Sequence, residues 1–283
     1  MSIELKKVSK RFVDNVVLDG VDFDVAEGET VALLGPSGVG KSVLLKHIIG
    51  LIKPDSGEVW VDGQLVPMLG RKELAALRSR IGYVFQNGAL FDSMDVFENI
   101  RLGISDERLY ADKDHCIDRV RECLRLVNLG EDVGSKYPSE LSGGMRKRVG
   151  IARAIAGKPV YLLYDEPTSG LDPVNADVID SLIERLQQEI GVTSVVVTHD
   201  VRGAFRVADR IALLAQAKIR AVGTAEEIIA SKDPVVQQFL ERDLEIAVLQ
   251  SVAESGTSAG PGALSFQTPA ARRRASGSGE EVP

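Results

Sequence analysis

The 283-residue chain contains no run of about 20 apolar residues, so none of its segments is predicted to span a membrane as a helix. Its first residues, Met1 to Glu4, do not open a signal peptide. Only two cysteines are present, Cys116 and Cys123, and no metal-ligand cluster surrounds them. Both are predicted to be reduced packing residues, and the protein is expected in the cytosol unless a partner holds it at a membrane.

A net positive charge is also lacking, because acidic residues outnumber basic ones by 41 to 34, which gives a formal net charge of −7 and an isoelectric point near 5.2. Nucleic acid is bound through a basic face, so it is not predicted to be the main partner. The hydrophobic content of 44% is enough for a substantial core, and the length allows one large domain or two small ones.

One stretch carries a specific nucleotide-binding signal. Residues 35–42 fit Gly-x-x-x-x-Gly-Lys-Ser, between the apolar run Thr30 to Leu34 and the apolar run Val43 to Ile49. A strand, a glycine loop and a helix in this order turn backbone N–H groups toward a phosphate chain. Lys41 is expected to reach the β- and γ-phosphates, and the Ser42 hydroxyl to bind Mg²⁺. The predicted nucleotide-binding residues of this loop are Gly35, Pro36, Ser37, Gly38, Val39, Gly40, Lys41 and Ser42.

Two alternating segments precede the loop, Ile3 to Val8 and Val21 to Val25, and both are predicted to be antiparallel strands with one exposed face. Phe12 lies between them. Its ring could stack on a purine base, although a lone aromatic residue is more often part of a core.

Strand patterns disappear from residue 87 to about 159, where apolar stripes predict helices such as Lys113 to Leu129. This block is predicted to be a helical insertion in an α/β core. It ends in Ser142-Gly143-Gly144-Met145 before a basic helix. Ser142 is predicted to cap that helix, and the two glycines leave its amides open, which makes a second potential anion site.

Two later strands are predicted to end in polar side chains. Val160 to Glu166 ends in two carboxylates, and Asp165 is suited to hold Mg²⁺ through water while Glu166 points to where a hydrolytic water would lie. His199 follows the strand Thr193 to Thr198, at the edge where open α/β sheets bind ligands, and is predicted to contact the γ-phosphate. The alternatives are a solvated turn for the carboxylates and a structural histidine.

Together these features resemble the ATP-binding subunits of ABC transporters, over Ile3 to about Phe239. The chain departs from that family at Met145, where Gln is usual, and at Phe12, where Tyr is usual; neither change removes a group that touches phosphate. Six motifs occur in the family's order: Phe12, Gly35 to Ser42, Gln86, Leu141 to Met145, Val160 to Glu166 with Ser169 to Asp172, and His199.

The resemblance implies the α/β class, with a P-loop NTPase core whose mostly parallel sheet has helices on both faces. It also implies an antiparallel β subdomain and a helical signature-motif subdomain at about 87–159, inserted in an ATPase domain of residues 1–245. Residues 246–283 are expected to be a C-terminal extension, mostly a disordered tail, because the composition turns Gly/Ser/Ala/Pro-rich from Ser251.

The resemblance further implies a head-to-tail homodimer that binds two ATP molecules with Mg²⁺. Each ATP would lie between the phosphate loop of one subunit and Ser142-Gly143-Gly144 of the other.

Glu166 would orient the attacking water, Asp172 would connect the two sites, and Phe12 would stack on adenine. The catalytic residues would be Lys41, Glu166 and His199, and the metal-site residues would be Ser42, Gln86 and Asp165.

The implied partner is an integral membrane permease that docks a coupling helix near Gln86 and the helical block, and Gln86 would sense both the bound nucleotide and this partner. The chain would then lie at the cytoplasmic face of the inner membrane, held there by the permease subunits. A narrower resemblance, over Phe85 to Asn99 and in Ser-Gly-Gly-Met, is to lipid-trafficking ATPases of the Mla type, associated with mammalian-cell-entry-domain proteins. The apolar tip Ala89-Leu90-Phe91 is predicted to receive the partner's helix, unless Phe91 packs inside the helical block.

The expected function is therefore that of an ATP-hydrolysing motor subunit for transport of phospholipid or another lipid. One alternative is an ABC importer or exporter subunit for a different substrate. Another is a soluble ABC ATPase acting on DNA or ribosomes, although the second nucleotide domain or long coiled coil usual in those proteins is not recognisable. A small-molecule kinase with a phosphate loop would not explain Ser142-Gly143-Gly144 or His199.

Overall fold

Ten strands form two sheets in the residues that the computed structural model describes, which are 2–104 and 110–241. The strands are β1 (Ile3–Phe12), β2 (Asn15–Val25), β3 (Thr30–Leu34), β4 (Ser56–Val61), β5 (Gln64–Leu65), β6 (Ile81–Val84), β7 (Tyr161–Asp165), β8 (Thr193–Thr198), β9 (Arg210–Ala215) and β10 (Lys218–Gly223). The helices are α1 (Lys41–Ile48), α2 (Arg71–Ser79), α3 (Val96–Arg101), α4 (Lys113–Leu126), α5 (Gly143–Ala156), α6 (Pro173–Ile190), α7 (Val201–Val207) and α8 (Ala225–Ile229).

The larger sheet has the strand order β10-β9-β3-β8-β7-β6, and all its neighbours are parallel except the β9–β10 hairpin. Every residue of β3 and β8 is buried, because these apolar strands are covered on both faces. Leu34 pairs with Thr198, and Asp165 pairs with Val197. The carboxyl ends of β3, β8 and β7 therefore lie side by side.

The smaller sheet is antiparallel, with the order β2-β1-β4-β5. The alternation predicted for β2 is present, since Val21, Phe23 and Val25 are buried while Asp22 and Asp24 are exposed. The buried face shares one apolar cluster with α1 and with one face of the larger sheet. This sheet thus places the β1–β2 hairpin beside the start of α1.

The described residues of the predicted helical block, 87–104 and 110–159, contain helices and turns but no strand. Helices α3, α4 and α5 pack together around a cluster that includes Ile100, Val120 and Ile155. Cys116 and Cys123 are free thiols buried in this cluster. No helix among the described residues is both long and apolar enough to cross a bilayer.

One boundary differs from the predictions, because β1 extends as far as Phe12 rather than ending at Val8. Strand β6 ends at Val84, and Gln86 lies in the turn that follows it. The last described helical segment spans residues 234–241. The predicted domain boundary at residue 245 and the predicted tail lie outside the described residues.

Candidate nucleotide site

The phosphate loop is a glycine-dependent turn at the end of β3. Gly35 and Gly40 have φ angles of 156° and 113°, in the region that favours glycine. A Cβ on Gly35 would clash with the carbonyl of Leu214, and one on Gly40 would lie 3.0 Å from the carbonyl oxygen of Val17. Helix α1 starts directly after Gly40, so its unpaired N–H groups point toward the loop.

Lys41, the first residue of α1, places its ammonium group at this loop. Its Nζ donates to the carbonyl oxygens of Gly35 at 2.6 Å and Pro36 at 3.1 Å, and it lies 3.2 Å from Glu166 Oε1. The lysine side chain is only 4% exposed, so these oxygens replace water around the ammonium.

The Asp165 carboxylate at the end of β7 is held by two hydroxyl donors. Its Oδ1 accepts from Ser42 Oγ at 2.6 Å, and its Oδ2 accepts from the Tyr83 hydroxyl at 2.9 Å. Burial, followed by the charge of Asp165, raises the pKa of Tyr83, so the phenol keeps its proton and remains a donor. The predicted residues Ser42 and Asp165 are therefore neighbours.

Glu166 connects this loop to His199. Its Oε1 faces Lys41, and its Oε2 lies 2.8 Å from His199 Nδ1. Its backbone φ is 50°, a left-handed conformation that costs a non-glycine residue on the order of 1–3 kcal/mol. The structure thus brings the three residues predicted to be catalytic into one network at the phosphate loop.

The oxygen donors next to the loop fit magnesium. Mg²⁺ prefers hard oxygen ligands with a carboxylate among them, and Ser42 and Asp165 offer a hydroxyl and a carboxylate at one point. Gln86, also predicted at the metal, differs from them. Its Nε2 donates to Ser169 Oγ at 3.1 Å, in the turn after β7, and no contact described for its side chain reaches Ser42 or Asp165.

The signature residues lie at a separate place, where α5 and α6 begin. Ser142 caps α5 through a bond from the Met145 N–H at 3.2 Å, and Asp172 caps α6 through a bond from the Asn175 N–H at 3.1 Å. Ser142 and Gly143 are exposed, whereas a Cβ on Gly144 would lie 2.9 Å from Asn175 Oδ1. No contact described for these residues reaches the phosphate loop of their own chain.

Phe12 is 42% exposed at the end of β1, with Lys10 Nζ 5.5 Å from its ring centroid. A cavity of about 790 Å³ opens beside this hairpin, and its lining includes Lys10, Val16 and Leu18. Leu18 also lies near Gly40 of the phosphate loop. The cavity therefore lies along the hairpin that carries Phe12, and the residues given for its lining do not include the phosphate loop.

Two residues of the site have no role in the sequence analysis, Tyr83 and Lys147. Lys147 Nζ donates to the backbone carbonyls of Gln86 and Glu166. The burial of Lys147 could be inferred from the sequence, because Gly144, Lys147 and Ile151 recur at helical spacing and form a buried stripe. A cation on such a stripe needs buried partners. The partner of Tyr83, in contrast, is 82 positions away, and no local pattern indicates it.

Comparison with known proteins places this site in context. The family model described as ABC transporter matches residues 18–169. A probable ribonucleotide transport ATP-binding protein, mkl of Mycobacterium leprae, is 41% identical over 240 residues, covering 85% of this chain and 69% of the relative. The intermembrane phospholipid transport system ATP-binding protein MlaF of Haemophilus influenzae is 39% identical over 244 residues, covering 84% of this chain and 90% of the relative.

A solved structure is also similar over most of the chain. It is a dimeric post-hydrolysis state of the ATP-binding cassette MJ0796 bound to ADP and Pi, with a TM-score of 0.72 and 36% identity. The match covers 79% of this chain and 98% of that one.

Proposed function

Because the chain belongs to the ABC transporter family and is one of its ATPases, we propose that it is the motor subunit of a membrane transporter that moves phospholipid or another lipid in an Mla-type system. The observation that carries the motor role is the network joining Lys41, Glu166 and His199 beside the Ser42–Asp165 pair. The lipid assignment is supported by the MlaF relative, which this chain matches over 90% of its length.

The ion pair between Lys41 and Glu166 suggests how substrate binding activates the site. The β- and γ-phosphates of ATP compete for the ammonium, which releases the Glu166 carboxylate to orient and deprotonate the attacking water. His199, beside the same carboxylate, then contacts the γ-phosphate. Glu166 thus becomes available when the phosphates that it helps to cleave are in place.

Ser42 and Asp165 would hold Mg²⁺, which neutralises negative charge on the phosphate oxygens when it is bound. Tyr83 donates to Asp165 independently of Ser42, so this bond would remain if the Ser42 hydroxyl bound the ion. Tyr83 therefore keeps the carboxylate in one orientation, as an outer hydrogen-bond partner does in other metal sites.

A head-to-tail dimer would complete each site. Ser142 and Gly143 are exposed at an N-terminus of a helix, a place suited to phosphate, yet they have no described contact with their own phosphate loop. A second subunit would supply the loop that these residues face. The dimeric state of the related MJ0796 cassette supports the presence of a second subunit.

The docking of a permease is supported by the loop after Gln86. Phe91 is 53% exposed, whereas Leu90 packs against the core of the helical block. The buried Asn99 side chain accepts from the Phe91 N–H at 2.8 Å and donates to the Phe91 carbonyl at 3.1 Å. The backbone is thereby fixed with its aromatic ring toward solvent, a ready anchor for an apolar partner helix. Such docking would hold the chain peripherally at the cytoplasmic face of the inner membrane.

A second candidate is the ATPase of a transporter for another substrate, because the mkl relative is named for ribonucleotide transport. Isolation of the chain with its membrane partners separates the two. Phospholipid in the isolated complex, together with hydrolysis stimulated by phospholipid vesicles, supports the lipid role. Stimulation by ribonucleotides other than the ATP substrate, without any response to vesicles, supports the other.

The motor role is tested with two substitutions that remove different functions. Glu166→Gln should bind ATP normally but hydrolyse it about 10²–10⁴ times more slowly, since it loses the general base. Lys41→Ala should weaken ATP binding itself. Near-wild-type turnover in Glu166→Gln, or unchanged ATP affinity in Lys41→Ala, would contradict the assignment.

A further inference from the structure

Lys147 is a buried cation between the helical block and the residues that follow β6 and β7. It lies on α5 with 6% of its surface exposed, and its Nζ donates to the carbonyl oxygen of Gln86 and, at 3.3 Å, to that of Glu166. Burial lowers the pKa of Lys147, an effect opposed by the Glu166 carboxylate. An ammonium in this place is stable only while those carbonyl oxygens face it.

The two carbonyls belong to segments with unusual backbone requirements. Glu166 has a φ of 50°, which a non-glycine residue keeps only when its surroundings impose it. Its N–H donates to the Val197 carbonyl at 2.9 Å, and its own carbonyl accepts from Lys147. Strand β8 and helix α5 therefore hold the residue from its two sides.

The same face of α5 also holds the segment after Gln86. A Cβ on Gly150 would lie 3.0 Å from Gly88 Cα, so glycine lets the two backbones approach. Arg153 donates to the carbonyl oxygens of Gly88 and Ala89, both at 2.7 Å. Lys147, Gly150 and Arg153 recur every three residues, so the loop and the helix are joined along one line.

We propose that Lys147 is a positioning residue for ATP hydrolysis. It holds the Glu166 backbone in the left-handed conformation that directs the carboxylate to Lys41 and His199, and it makes that conformation depend on the position of α5. Because Ser142 caps the start of α5, contact between this end and a partner's nucleotide would be transmitted to Glu166 through one ammonium. The inference rests on the proposed catalytic role of Glu166.

The test compares Lys147→Met with Arg148→Met in the full-length chain. Arg148 follows on the same helix but donates to the Asn128 carbonyl, within the helical block, and serves as the matched control. Lys147→Met should lower kcat by roughly 10- to 100-fold with KM for ATP nearly unchanged, since small misplacements of a catalytic group have effects of this size. Arg148→Met should keep both values. An unchanged kcat, or a parallel loss of ATP binding, would overturn the inference.

A double-mutant cycle shows whether Lys147 acts through Glu166. Adding Lys147→Met to Glu166→Gln should change kcat less than twofold if the lysine only positions that carboxylate, whereas an independent role would multiply the two losses. A lower kcat in Glu166→Gln together with an unchanged kcat in Lys147→Met refutes only the positioning role of Lys147. An unchanged kcat in Glu166→Gln refutes the proposed catalytic role of Glu166 itself.

A milder variant covers the case in which Lys147→Met is poorly folded. The amide of Lys147→Gln retains two donors on a stem that is one atom shorter, so it should reach one carbonyl and give an intermediate kcat with an unchanged KM. A raised KM in this variant, or a kcat equal to that of the wild type, would overturn the inference.

Discussion

Two regions of the molecule are predicted to bind phosphate, and they differ in how complete they are. At the phosphate edge, formed by Lys41, Ser42, Asp165, Glu166 and His199, the charged and polar groups contact one another, and the Lys41 and Glu166 side chains are only 4% and 12% exposed. At the signature face, formed by residues 142–144, Ser142 and Gly143 are exposed and the described side-chain bond is local.

This difference separates what one chain does alone from what requires a second molecule. The phosphate edge combines a cation, two carboxylates and a histidine from three segments of one chain, so ATP binding is expected of a single subunit. At the signature face the helix start is exposed, and no contact described for residues 142–144 reaches the phosphate loop of the same chain. Hydrolysis is therefore expected to depend on contact between subunits, and transport on a further contact at Phe91.

The largest effect is expected at the signature face. Ser142→Arg should abolish hydrolysis, because it puts bulk and a misplaced cation where we propose that the partner's γ-phosphate enters. ATP binding to the isolated subunit should persist, since the phosphate edge is untouched. Ser139→Arg, three residues earlier and also exposed, is the matched control and should remain active. An equal loss of hydrolysis in both variants, or full activity in Ser142→Arg, would contradict the proposed division of roles between the two regions.

Phe91→Asp should disrupt association with membrane chains without changing the stability of the isolated subunit. Burying an aromatic ring contributes about 1.5–3 kcal/mol, and a carboxylate against an apolar partner adds a penalty of several kcal/mol unless it is solvated. Co-purification and thermal melting are the two measurements. The control is Val222→Asp, at a residue of similar exposure on β10. A large fall in the melting temperature of Phe91→Asp would mean that Phe91 is a core residue.

The smallest predicted effect concerns the folding stability of the protein where α6 and α7 meet. A Cβ placed on Gly203 would lie 3.0 Å from carboxylate oxygens of both Asp180 and Asp200. Burial, and next the charge of Asp200, raises the pKa of Asp180 to about 7 from its ordinary 3.8, with Asp177 and Glu184 adding to the rise and Arg206 opposing it. The folded state therefore binds a proton that the unfolded state releases, so stability falls as pH rises from about 4 to 7.

Asp180→Asn should remove this dependence. The rise in pKa corresponds to roughly 4 kcal/mol of stability at most. Because the buried amide of the variant also needs hydrogen-bond partners, we expect its free energy of unfolding to exceed that of the wild type by about 1–2 kcal/mol above pH 7 and to differ little below pH 4. Chemical denaturation at pH 4, 6 and 8 measures it. A constant difference between variant and wild type at the three pH values would show that Asp180 does not titrate in this range.

The sequence predicted most of the phosphate edge because its motifs are local. The glycines of residues 35–42 are needed for the φ angles of one turn, and parallel strands necessarily end at the same edge. The alternation of β2 and the absence of strands from the described part of the helical block also follow from neighbouring residues. The fold class could therefore be predicted before any long-range contact was known.

Contacts between distant segments could not be predicted in the same way. Tyr83 meets Asp165, and the Gln86 amide turns to Ser169, because of how β6 and β7 pair rather than because of a repeated pattern. The bond from Lys147 to the Glu166 carbonyl depends on where α5 packs. Periodicity marks a buried face but does not identify the atom that faces it.

The most direct test of a site shared between subunits uses two inactive variants, Lys41→Ala and Ser142→Arg. In a head-to-tail dimer of one variant with the other, one site contains both substitutions and the other contains neither. Mixing the two should restore ATP hydrolysis to about a quarter of the wild-type rate, since half of the dimers are mixed and each has one intact site. Hydrolysis no higher than that of the separate variants would contradict the account.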